Sequence, residues 1–204
     1  AHRLPEEYGA KTEILLGSGG GNEYQSEIYS GLTGYGRNIN QITNQIRVLQ
    51  SHDLISRTLD KLDFQVSYYI VGRVKTTEIP VIDAFDMDIR LFESEGDELY
   101  GVPFDIRILN SEEFSLGFPV AGNRVERIHR FNEDIVENEY ILRAERNKMI
   151  SDATFSRLME NDYRFTVNSK NYLVGKYKSA LKISNEEKTS ILVLTVKDEL
   201  SSKA

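Results

Sequence analysis

The chain has 204 residues, no cysteine and a formal net charge of −7. Without cysteine there are no disulfides or thiolate metal sites, and an acidic balance with scattered Lys and Arg argues against nucleic acid or anionic headgroups, which both need a concentrated basic face. No run approaches the ~20 apolar residues of a membrane span, so the chain as given is expected to be soluble and large enough to bury roughly 70% of its unfolded surface.

Tyr8 to Leu16 alternates and ends in an apolar run, which suits a strand with Ala10, Thr12, Ile14 and Leu16 on one face. A glycine cluster at Gly17, Gly19, Gly20 and Gly21 follows. It lacks the Lys-Ser or Lys-Thr of a phosphate loop and reads as a mobile loop. From Asn38 to Phe64 the pattern becomes helical. Ile39, Ile42, Ile46 and Leu49 form one stripe, which fails at Asp53 and Ser56, and Ile55, Leu59 and Leu62 begin another. The break predicts two short helices, the second capped by the Ser51 hydroxyl with Asp53 in its first turn.

Phe64 to Thr77 is rich in β-branched and aromatic residues and predicts one long strand bent at Gly72, with Tyr68 and Tyr69 on opposite faces as a half-buried pair. Pro80 ends it. Phe85 to Glu93 and Pro103 to Leu109 alternate with period two, the strongest strand signal in the chain, around a turn at residues 94–98. Phe114, Leu116 and Phe118 predict a short strand closed by Pro119, and Asn123 to Asp134 is mixed in charge without a clear period. Tyr140 to Ala144 suits a strand, and Asp152 to Glu160 a short helix capped by Ser151 or Asp152 with Phe155, Leu158 and Met159 inward. Tyr163 to Val167 and Asn171 to Val174 read as strands around a turn at Asn168 to Lys170. Lys178 to Ile183 is ambiguous, and Ile191 to Val196 is apolar enough to be a central strand. The expected fold is α+β, one mixed sheet with the two short N-terminal helices packed on one side and a β-rich middle.

Chemistry is sparse. His2, His52 and His129 lie far apart with no metal-ligand spacing, and no nucleophile elbow, phosphate loop or kinase catalytic-loop pattern is present. The pairs Glu6 and Glu7, Glu112 and Glu113, Glu186 and Glu187 fall on expected termini or turns, where a solvated carboxylate is the default. No catalytic, cofactor-binding or metal-ligating residue is singled out, and no cofactor is expected.

The order of pieces carries a resemblance. A strand opening Tyr8-Gly9-Ala10-Lys11-Thr12, a glycine-rich loop, a helix containing Asn44 to Ser51 (NQIRVLQS), a second helix through Leu59 to Leu62, then Ser67-Tyr68-Tyr69, resembles the N-terminal region of chain-length determinant proteins. These are the polysaccharide co-polymerases, some fused to bacterial tyrosine autokinases. Tyr177 to Leu181 followed by Ile191 to Asp198 resembles the strand before the family's long helical arm. Gln45 stands where the family often has Glu, and Asn110 to Asn161 matches nothing in it.

The resemblance implies a single periplasmic α/β base domain over 1–204, with 110–161 as an insertion. The membrane helices, the helical arm and any kinase domain would lie outside. It further implies a location on the periplasmic face of the bacterial inner membrane and a homo-oligomer that regulates chain length or export of capsular or exopolysaccharide. The polymerase and export machinery, and the glycan itself, would be partners. The polar side of the first helix, Asn40, Gln41, Asn44 and Arg47, is the candidate subunit contact. The alternative expectation is a secreted or periplasmic module that binds carbohydrate or protein, against which the lack of tryptophan weighs for sugar stacking.

Overall fold

The computed structural model describes residues 7–16, 42–92, 97–120, 122–186 and 189–204. The glycine cluster, Ile39, Asn40, Gln41 and most of the 94–98 turn lie outside these residues. In chain order the elements are β1 (Tyr8–Leu15), α1 (42–49), α2 (His52–Leu59), β2 (Val66–Val71), β3 (Thr76–Ile79), β4 (Phe85–Leu91), a 3₁₀ turn (Asp97–Leu99), β5 (Pro103–Ile108), β6 (Glu113–Val120), β7 (Asn123–Arg130), β8 (Asp134–Val136), β9 (Tyr140–Arg146), α3 (Asp152–Leu158), β10 (Asp162–Val167), α4 (Lys170–Ala180), β11 (Lys182–Asn185) and β12 (Ile191–Asp198).

The α+β expectation with one mixed sheet does not hold. Strands make up 45% of the described residues and helices 22%, and every strand pairing is antiparallel, in one six-stranded and two three-stranded sheets. The physical reason lies in the middle of the chain, where one hairpin follows another. Short links there permit only antiparallel neighbours, because a parallel pair needs a crossover of a dozen residues or more, and the long-range pairs β1-β12, β2-β10, β5-β10 and β4-β9 are antiparallel as well.

The described residues divide into two compact units: one built from both ends of the chain, up to Leu62 and from Asn171, and one continuous from Asp63 to Lys170. In the first unit β12 is central between β1 and β11, as its apolar run predicts. β1 pairs with it from Tyr8 opposite Asp198 to Leu15 opposite Ile191. Ser51 caps α2 by accepting from the Leu54 backbone N–H at 3.3 Å. The buried apolar side chains of this unit are Ile55 and Leu59 of α2, Leu173, Val174 and Tyr177 of α4, and Leu192 of β12, each helix contributing one stripe at helical spacing. Asn171 to Val174, expected as a strand, lies inside α4. The stretch is too short for its period to separate the two structures, and the Leu173, Val174, Tyr177 stripe decides it. At the end of β12 the buried Asp198 carboxylate accepts from Tyr177 Oη at 3.1 Å and the Leu200 N–H at 3.1 Å, with Lys176 Nζ 2.7 Å away.

The second unit is two sheets face to face. The six-stranded sheet runs β3-β2-β10-β5-β6-β7 and the other β4-β9-β8. Inward residues of both form a single core containing Phe85, Ile89, Phe104, Ile106, Phe114, Leu116, Phe118, Tyr140, Leu142, Tyr163 and Phe165. Phe104 stacks on Phe165 with ring centroids 4.7 Å apart and meets Tyr140 of the facing sheet edge-on at 6.4 Å. Phe155 of α3, a helix capped by Ser151 as predicted, reaches the same core, 6.4 Å from Phe131.

The expected long strand from Phe64 to Thr77 is in fact the hairpin of β2 and β3. Its turn is closed by Gly72 N–H donating to Lys75 O at 3.1 Å, and a Cβ on Gly72 would stand 2.8 Å from that oxygen. Tyr68 and Tyr69 do lie on opposite faces and are half-buried. Pro119 does not close β6, which continues to Val120 and turns into β7 through Gly122 at φ 81°.

Candidate functional site

The predicted contact residues Asn44 and Arg47 are exposed on α1, while Ile42, Ile46 and Leu49 of the same helix are half-buried, so the helix divides as its pattern predicts. Asn40 and Gln41 lie outside the described residues. Among the described residues no group of three or more His, Asp or Glu is placed to hold a metal ion, and no helix is long and apolar enough to cross a membrane.

The structure brings together a different set of residues, on the outer face of the six-stranded sheet. Phe104, Ile106 and Ile108 of β5 point into the core, so Asp105 and Arg107 point out. Tyr163 and Phe165 do the same for Asp162 and Arg164 on β10. Register then aligns one outward residue from each strand in a row: Glu78 opposite Tyr69, Tyr69 opposite Arg164, Arg164 opposite Asp105, Asp105 opposite Gly117, Gly117 opposite Glu126. In the next row Asp162 lies opposite Arg107, and Arg107 opposite Ser115.

Ion pairs knit these rows. Arg164 Nε donates to Asp105 Oδ1 at 2.7 Å, Arg124 Nη2 to Asp105 Oδ2 at 2.7 Å, and Arg107 Nε to Asp162 Oδ1 at 3.1 Å. Partial burial pushes the Asp105 carboxyl up, but the hydrogen bonds and charges of Arg164 and Arg124 outweigh it and hold the group below the usual carboxylate range. Gly117 forms the floor. A Cβ there would lie 2.7 Å from Arg124 Nη2 and 3.2 Å from Cζ, so the guanidinium reaches Asp105 only because position 117 has no side chain. The result is a shallow depression of about 350 Å³ lined by Asp105, Arg107, Arg124, Glu126, Asp162 and Arg164. A carboxylate held ionised between two guanidinium groups accepts hydrogen bonds and does not supply a proton, so this face is equipped to bind.

A second polar cluster joins β7 to the β8-β9 hairpin. Arg127 donates to both carboxylate oxygens of Glu139, at 3.0 and 3.3 Å, and lies over the rings of Phe118 and Tyr140. That pairing lowers the Glu139 carboxyl. Buried His129 sits 3.1 Å through Nε2 from the Tyr140 hydroxyl; burial lowers the imidazole and pushes the phenol up to about 12. This cluster is closed by aromatic rings and ties one sheet to the other. A third feature is an open groove of about 360 Å³ beside Tyr68, whose hydroxyl burial, with Asp86, Asp63 and Asp88, pushes up to about 12.

Sequence reasoning singled out none of Asp105, Arg107, Arg124, Asp162 or Arg164. The available signal is the repeat of Asp-x-Arg at 105–107 and at 162–164. Set on antiparallel neighbours, the two copies place each Asp opposite the other's Arg. Comparison of the sequence with protein-family models and with curated proteins finds no match to either.

Proposed function

We propose that the chain is an extracytoplasmic scaffolding domain of a bacterial inner-membrane protein that regulates chain length or export of a capsular or exopolysaccharide, acting as an oligomer. One observation carries most weight. β1 and β12 pair antiparallel with Tyr8 opposite Asp198, so the chain comes into and leaves the end-built unit side by side, an arrangement that suits a segment held between two anchors in one membrane and is also common in domains without them. The β-rich unit from Asp63 to Lys170 lies in sequence between the two halves of the end-built unit, and the stretch 110–161, which matches nothing in the family, falls within it. Of the motifs that resemble the chain-length determinant proteins, Tyr8 to Thr12, Asn44 to Ser51 and Leu59 to Leu62 fall in the end-built unit, and Ser67-Tyr68-Tyr69 falls at the start of the Asp63–Lys170 unit. The exposed side of α1, with Asn44 and Arg47, remains the proposed subunit contact.

The test is genetic and biochemical. Deleting the gene should change the length distribution of surface polysaccharide on a gel, and Arg47→Glu in the protein extended through its flanking segments should weaken crosslinked oligomers. Unaltered polymer in the deletion strain refutes the function; unaltered oligomers refute the contact surface. A gene that encodes a signal peptide and no flanking membrane helix would instead favour a secreted binding module.

A further inference from the structure

We infer that the outer face of the six-stranded sheet is a glycan-binding platform, which takes an uncharged polyhydroxylated chain across the strands along the row Tyr69, Arg164, Asp105, Gly117 and Glu126. The inference deepens the scaffolding function and rests on it only for the identity of the polymer met in the cell.

Charge excludes the commonest ligands of arginine-rich surfaces. The lining holds Arg107, Arg124 and Arg164 against Asp105, Glu126 and Asp162, so the charges cancel. A phosphate backbone or a polyuronate requires a net positive groove. A protein partner requires apolar or aromatic anchors that fill pockets near the centre of the contact. Here the centre, on β5 and β10, is charged, and the aromatic and apolar side chains, Tyr69 and Val71 of β2 and Ile128 of β7, stand to either side of it.

What the face offers is a lattice of alternating acceptors and donors already fixed by one another. Each guanidinium has five N–H donors and each carboxylate about four acceptor sites, and the ion pairs use only some of them. Two adjacent ring hydroxyls, each both donor and acceptor, bridge a carboxylate oxygen and a neighbouring guanidinium N–H without separating the pair. The ion pairs bias these exposed side chains toward their bound positions before the ligand arrives, which lowers the ordering that accompanies binding. The bare floor at Gly117 keeps Arg124 flat and the depression open. The strands also repeat at ~4.8 Å, close to the length of one pyranose residue in an extended chain, so successive sugars meet successive strands.

The test is a ¹⁵N NMR titration of the 204-residue chain with maltoheptaose, cellohexaose, laminarihexaose, dextran oligomers and oligogalacturonate. The expected result is a shift of backbone amides on β5, β6 and β10, and of the Arg164 and Arg124 Nε–Hε signals, with at least one uncharged member of the panel. Affinity should fall at least ~10-fold in Arg124→Gln and in Arg107→Gln, both exposed positions, with core signals unchanged. No shift with any uncharged member, shifts only with oligogalacturonate, shifts centred on the Tyr68 groove, or full affinity in both variants would each overturn the site. Failure of the site is separable from failure of the scaffolding reading: the former is absence of binding in the titration, the latter an unchanged polymer length in the deletion strain.

Discussion

Gly117→Ala separates stability from the charged face. The added Cβ would stand 2.7 Å from Arg124 Nη2, 3.2 Å from Cζ and 3.4 Å from Nε. The obstacle is the far end of a flexible side chain that is 59% exposed, so the guanidinium swings away and the backbone stays. Two opposing terms follow. Glycine inside a strand is less favourable than alanine by roughly 0.5–1 kcal/mol, which the substitution recovers, while an exposed ion pair such as Arg124 with Asp105 contributes ~0.2–1 kcal/mol, which it loses. They cancel to within ~0.8 kcal/mol. Urea unfolding should therefore show a midpoint close to that of the unsubstituted protein and an unchanged slope. Carbon-detected titration should show the Asp105 carboxyl moving up, because one of its two guanidinium partners has gone and Arg164 remains. A loss of more than ~2 kcal/mol would show that the backbone of β6 had to move, and an unmoved Asp105 titration that Arg124 still reached it. Either would refute the account of Gly117 as a floor for Arg124.

Phe104→Ala removes a fully buried ring that contacts Phe118, Tyr140 and Phe165, and should cost the Asp63–Lys170 unit ~3–5 kcal/mol by urea unfolding. Burial holds His129 below its ordinary value of 6.5, so the unfolded chain takes up the proton first. That contribution to stability is present above ~6.5 and is lost as pH falls through the lower folded value, at up to ~1.4 kcal/mol per pH unit. His129→Gln should remove this slope from thermal melts compared across the window. Tyr140→Phe deletes the hydroxyl 3.1 Å from His129 Nε2 and should cost ~1–3 kcal/mol, since a buried ring nitrogen loses its partner. Asp198→Ala removes the acceptor that Lys176, Tyr177 and the Leu200 N–H share. It should cost ~2–4 kcal/mol and should raise hydrogen exchange in α4 and β12 more than in β5 and β10.

What the sequence made legible depended on whether a face was uniformly apolar. β4 and β5 alternate cleanly because one side of each meets only core, and α2 and α3 announce themselves through Ser51 and Ser151, whose hydroxyls accept from the Leu54 and Thr154 N–H groups. β7 was illegible for the opposite reason. Its inward positions include Arg127 and His129, which stay inside only because Glu139 and Tyr140 satisfy them, and no local period reveals a partner twelve residues away. β2 and β3 merged into one expected strand because Arg73 and Lys75 at the turn lack the Asn-Gly or Asp-Gly signature of a tight hairpin. The charged face was hidden more deeply, since outward residues of separate strands become neighbours only after register is fixed.

Each unit is closed at its own base, and this has a mechanical consequence. β2 and β10 begin and end the inner unit as paired neighbours, Val66 opposite Val167, stitched by Asn168 N–H to Gln65 O at 2.7 Å and Asn168 Nδ2 to Ser67 Oγ at 3.1 Å. β1 and β12 clasp the outer one in the same way. Tension on the two ends of the chain loads β1 and β12 as a zipper, one rung at a time, and the second clasp feels the pull only after the first has opened. The two clasps are thus loaded in order, and β1 can part from β12 while the charged sheet, which carries no load until then, keeps its shape.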